Sequence, residues 1–144
     1  MNEKRIDITT HIKCRRTTVF AAWQTAESFA AWFAPMTSTP PTVRMDFRVG
    51  GAYSIVMPLP DGSVHTTRGV FREIVDNERI VMTWRCDAFD DPESVVVVDF
   101  LEADGGTDIH LQHGPFDNDV TRDAHTGGWQ ACLGQLAAHV AGND

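Results

Sequence analysis

Imidazoles, thiols and large aromatic rings are the side chains of this sequence that could do chemistry. His113, in TDIHLQHG (107–114), keeps phase with Ile109 and Leu111, so on a strand the three share one face. An imidazole placed there has two readings. It is a core histidine bonded to a backbone carbonyl, or it orients a ligand or acts as general base, because a partly buried imidazole can titrate near neutral pH. His65 and Thr67 share a phase with Phe71, while Val64, Thr66, Arg68 and Val70 take the other. The pattern does not decide which phase faces inward, and a bulge would exchange them. Arg68 reads as the partner of an acid on the outside of a sheet. His125 precedes Trp129 by one helical turn, placed either to reach a cavity mouth or to be solvated. Asp99 stands in an apolar run and is expected to point outward, since an unpaired buried carboxylate is costly.

Other chemistries find no pattern. HTTR, HLQH and DAH lack the spacing of zinc motifs, and on a strand His110 and His113 point to opposite faces, so no metal is expected. There is no nucleophile elbow, phosphate loop or dinucleotide fingerprint, and no cofactor is expected. Cys14, Cys86 and Cys132 are odd in number and widely spaced, which favours reduced thiols in a cytoplasmic protein. Cys86 and Cys132 fall on apolar faces, where a thiol loses reactivity. A formal charge of −8 excludes the basic footprint that nucleic acid requires, and argues against an anionic membrane surface. No apolar run approaches the ~20 residues of a membrane span, and residues 1–13 lack a signal-peptide core.

The elements that must position these residues follow from periodicity. Residues 5–13 alternate as a first strand, and VFAAWQTAESFAAWFAP (19–35) has helical spacing that residues 25–28 can break into two short helices before Pro35. From residue 43 onward, about six strand patterns are separated by Gly50-Gly51, Pro60-Asp61-Gly62, Asp76-Asn77 and Asp104-Gly105-Gly106, turns short enough to force antiparallel pairing. Residues 117–140 form the long helix. Trp129, Cys132, Leu133, Leu136 and Val140 make its apolar stripe, Asn118 or Thr121 its cap, and Gly142 with Asn143 its stop. The chain thus reads as one α+β domain over residues 1–144.

A sheet this long with one helix across it must curve, leaving a wedge between sheet and helix. Gly127 and Gly128 cost helix stability and are expected where something approaches the helix backbone. Trp84, His113 and Trp129 are the residues expected at the wedge, with Phe33, Phe71 and Met82 as apolar wall and Gly128 and Cys132 beside Trp129. Trp32 belongs to the same aromatic group.

The order of elements resembles the START-like helix-grip (SRPBCC) superfamily. VFAAWQTAESFAAWFAP at 19–35, DFRVGGAYSIVM at 46–57, DGSVHTTRGVFREIVDNERIVMTW at 61–84 and HTGGWQACLGQLAAHV at 125–140 resemble the branch named after the activator of the heat-shock protein 90 ATPase. The resemblance implies a helix-grip fold: a curved antiparallel sheet of six to seven strands wrapped around the C-terminal helix. It also implies one of three functions. The first is binding of a small apolar or aromatic molecule in the cavity. The second is a cyclase- or hydratase-type reaction there, with His113 the best candidate to move a proton. The third is a chaperone-associated interaction module. The 36–42 loop or a sheet edge could support a homodimer.

Overall fold

The computed structural model of the chain describes residues 4–33, 41–87 and 93–141. Ten elements follow in order: β1 (Lys4–Ile12), α1 (Arg16–Ala21), α2 (Ala26–Trp32), β2 (Thr42–Met45), β3 (Ala52–Pro58), β4 (Val64–Val75), β5 (Arg79–Cys86), β6 (Ser94–Ala103), β7 (Gly106–Phe116) and α3 (Asp119–Val140). The strands form one seven-stranded antiparallel sheet in the order β1-β7-β6-β5-β4-β3-β2. This is the expected α+β architecture, with two short helices after the first strand and one long helix at the end.

Local chemistry explains the breaks. Thr25 caps α2 by accepting the Ser28 N–H at 3.1 Å, which separates α1 from α2 where the sequence suggested. Asn118, not Thr121, caps α3, its side chain accepting the Thr121 N–H at 2.8 Å. Between β6 and β7, Asp104 (φ +48°) and Gly105 (φ +77°) both adopt the left-handed conformation that a tight hairpin needs. The helix stop at Gly142 and Asn143, Pro35 and most of the 36–42 loop fall outside the described residues. One strand is shorter than its pattern: β2 ends at Met45, Asp46 still donates its N–H to the Ala52 carbonyl at 2.9 Å, and the chain then enters a turn in which Arg48 bonds Asp46.

The inner face of the sheet is apolar in strict alternation. Ile80, Met82, Trp84 and Cys86 from β5 and Ile109, Leu111 and His113 from β7 all face the helices and are buried. Across from them lies the α3 stripe of Trp129, Cys132, Leu133, Leu136 and Val140, likewise buried. At roughly 1.5–3 kcal/mol for each large apolar side chain removed from water, that stripe is what holds the helix to the sheet. In β4 the phase left open by the sequence is settled: Thr67 and Phe71 face inward, and a bulge follows between Phe71 and Glu73. Asp99 faces outward beside Arg79, at 3.2 Å.

α1 and α2 close one side of the wedge through an aromatic cluster. Trp23 stacks near Trp129 (centroids 6.4 Å, 18° between planes) and meets Trp32 at 4.8 Å. The Trp32 indole donates to the Ala22 carbonyl at 3.0 Å, tying the second short helix to the end of the first.

Candidate ligand cavity

Where β3, β4 and β5 splay from the first half of α3, a cavity of about 180 Å³ remains. Its walls come from five elements. β3 gives Met57, β4 gives His65 and Thr67, and β5 gives Trp84 and Cys86. These face each other in register, Met57 opposite His65 and Thr67 opposite Cys86, so each pair presents two adjacent side chains to the same space. α3 contributes Ala124, His125, Gly128 and Trp129, and Phe33 closes the space from the end of α2. The aromatic walls touch one another: Trp84 and Trp129 at 5.2 Å, Phe33 and Trp129 at 5.7 Å, Phe33 and Trp84 at 6.2 Å.

Among the described residues, two polar atoms of these wall residues are buried without a hydrogen-bond partner, the Thr67 hydroxyl and the Trp84 indole N–H. Buried polar atoms are nearly always bonded, so each orphan calls for an explanation. A hydroxyl can donate and accept, whereas the indole can only donate. Neither atom is open to the space as the side chains stand, so a ligand acceptor reaches one only when that side chain turns toward the cavity. His125 adds a polar edge at the mouth, half-buried, with its Nδ1–H donating to the Thr121 carbonyl at 3.0 Å.

His113 stands behind this surface and is not among the cavity walls. The Trp129 indole donates to its Nδ1 at 3.0 Å, which fixes that nitrogen as an acceptor. The proton must then be on Nε2, which donates to the Ser94 hydroxyl at 2.8 Å, and Ser94 donates onward to the Trp84 carbonyl at 3.2 Å. Burial, then the charges of His125 and Arg5, hold the His113 pKa well below its ordinary value, in keeping with a neutral ring. With both nitrogens used, the ring has no lone pair to take a proton from a substrate. It holds Trp129 by the side chain and Trp84 by the backbone, fixing the angle of two cavity walls.

The other expected residues divide. Phe33, Trp84, Gly128 and Trp129 come together at the cavity. Phe71 and Met82 lie deeper, at a separate void of about 10 Å³ with Trp23 and Tyr53. Their side chains point inward as expected, but α3 crosses nearer the other end of β4 and β5, so another part of the core covers them. Cys132 is buried one turn beyond Trp129 on α3 and does not reach the cavity. Gly127 faces open space, so no close approach explains it; Gly128 alone of the pair lines the cavity. Sequence reasoning missed Met57 and Ser94, for which period-2 alternation was the only available signal. It left His65 and Thr67 undecided.

A family model described as Activator of Hsp90 ATPase homolog 1-like protein matches residues 13–141. Comparison with curated proteins gives no match. A protein from Chromobacterium violaceum is similar in structure, with a TM-score of 0.81 and 25% identity over 93% of this chain and 95% of that one. One from Rhizobium leguminosarum gives the same score and identity over 94% and 93%. The AHSA1-like protein from Aeromonas hydrophila, solved in solution, has a TM-score of 0.78 and 25% identity over 94% and 91%. Among the described residues no helix is long and apolar enough to cross a membrane.

Proposed function

We propose, from the premise that the chain belongs to the Activator of Hsp90 ATPase homolog 1-like family and has its START-type helix-grip fold, that it binds a small aromatic molecule carrying a hydrogen-bond acceptor. The size comes from the cavity. At about 180 Å³ it slightly exceeds the ~150 Å³ apolar cavity that accepts benzene, so it suits one ring with a short substituent and not a lipid chain. The walls that would clasp the ring are Phe33, Trp84 and Trp129. Removal of apolar surface from water drives entry, and one or two polar contacts fix the orientation.

The observation that carries this reading is the pair of orphaned atoms, Trp84 Nε1 and Thr67 Oγ1, in the walls of one cavity. A carbonyl on the ligand would accept from either once that side chain turns toward it. An apolar ring of the same size would leave both unsatisfied, a difference of a few-fold to tenfold in affinity.

The test is a titration followed through the tryptophan indole N–H signals in nitrogen–proton correlation spectra. Acetophenone is expected to move the Trp84 signal downfield and to bind more tightly than ethylbenzene, which has the shape but no acceptor. Gly128→Leu should weaken both by roughly tenfold or more, since the added side chain takes up the space of the ring. Equal binding of the two probes, or an unchanged affinity in the leucine variant, would overturn the proposal.

A further inference from the structure

On the opposite side of the sheet, we infer a second binding site, one for the phosphate chain of a phosphorylated small molecule, on a row of arginines that crosses the strands. Arg44 on β2 lies opposite Ser54 on β3, Ser54 opposite Arg68 on β4, and Arg68 opposite Arg85 on β5. Residues opposite one another in register share a face, so these side chains stand in one line across four strands spaced about 4.8 Å apart. All are exposed or half-buried on the outer face and border one groove of about 740 Å³, within the range of small-molecule sites.

The groove exists because the ladder is interrupted there. Gly69 and Val70 do not pair with β5. Instead the Val70 N–H donates to the Thr83 side chain at 2.9 Å, and the Tyr53 hydroxyl reaches through to the Thr83 carbonyl. A methyl group on Gly69 would collide with the Thr83 backbone, so only glycine allows this approach. Val56 and Val70 form an apolar floor, with Thr66 beside it.

Charge makes the row unusual. The chain has twenty acidic against twelve basic side chains. Arg16, Arg48, Arg72, Arg79 and Arg122 each have a carboxylate oxygen within 4 Å. Arg44, Arg68 and Arg85 have none among the described residues, although Arg68 was expected to find one. Two acids stand here: Glu93 lines one end of the groove and is 3.6 Å from Arg72, and Asp87 accepts the Thr66 N–H at 2.9 Å. Like charges directly opposite in a sheet destabilise it, and Arg68 and Arg85 are such a pair. A multiply charged anion lying along the row would reverse that cost. Guanidinium forks match phosphate oxygens in pairs, and the surrounding negative charge is screened beyond about 10 Å at 0.1 M salt.

Calorimetric titration of the whole chain with inorganic triphosphate, ATP, adenosine and hexaglutamate tests the site. Triphosphate and ATP are expected to bind, with affinity that falls as salt rises. Equal affinities assign recognition to the phosphate chain alone, and tighter ATP assigns the organic part to the Val56–Val70 floor; both support the inference. Arg68→Gln and Arg85→Gln should each weaken binding about tenfold, and Arg85→Lys less, while Arg122→Gln leaves it unchanged. Without ligand, Arg68→Gln should also raise the melting temperature, which loss of a merely structural arginine would not do. The inference fails if neither phosphate compound binds, if adenosine binds as well as ATP, if hexaglutamate binds more tightly, or if the groove variants bind normally. Because the aromatic cavity lies on the other face, acetophenone binding in these same variants reports separately on the first proposal.

Discussion

His113 shows how one side chain can be conspicuous in a sequence and yet be employed differently in the fold. Its inward phase was legible from Ile109 and Leu111. Its partners were not, because Trp129, Ser94 and the Trp84 carbonyl come from three other elements. The hydrogen-bond directions require a neutral ring, and this sets a pH dependence. In the unfolded chain the imidazole takes up a proton near its ordinary pKa of 6.5; in the fold it resists, its pKa being lowered. Its contribution to stability is therefore complete above about pH 6.5 and is lost as pH falls below that. The slope for one proton is about 1.4 kcal/mol per pH unit. Thermal melts between pH 7.5 and 5 should show His113→Gln less stable at the upper end and flatter in its acid dependence. Parallel profiles would contradict the assigned proton positions. The orphaned hydroxyl of Thr67 was less legible still, since alternation along β4 allowed either face.

At the level of elements, α3 was the most readable part of the chain, and its buried stripe and Asn118 cap are those its periodicity implied. Its glycines are less simple. Gly127 and Gly134 are exposed, and an added methyl group would meet nothing within 4 Å at either. Each therefore costs helix stability without a packing reason. Gly127→Ala and Gly134→Ala are expected to raise stability by about 1 kcal/mol each, seen as a higher midpoint in urea with unchanged slope. A drop at either position would mean that the backbone there is needed by a partner or a motion. The strands were legible in number and order, because the turn residues between them are explicit. β2 is shorter than its alternation implies, because the pattern continues through Phe47 while the pairing with β3 ends at Met45. What no single strand could disclose was register, and register is what lines up Arg44, Arg68 and Arg85.

Taken whole, the two faces of one sheet differ in character. One face is apolar, gripped by helices, and opens at the aromatic cavity; the other carries the arginine row. The ends of the chain meet in this design. β1 pairs along its length with β7, Ile6 opposite His113 and Ile12 opposite Thr107, so the first strand is fastened by the last. A fragment ending at Ala103 should accordingly show no cooperative melt, because it lacks both the neighbour of β1 and the helix that covers the sheet; a sharp transition in that fragment would count against this account. The same pairing bears on how the protein is made. At about 5–20 residues per second, a ribosome delivers Ile6, Ile8 and Ile12 roughly 5–20 s before it delivers the strand that will receive them. Throughout that interval the nascent chain exposes a greasy segment without a mate, and crowding or a slowed translation rate would raise the share of newly made copies that aggregate.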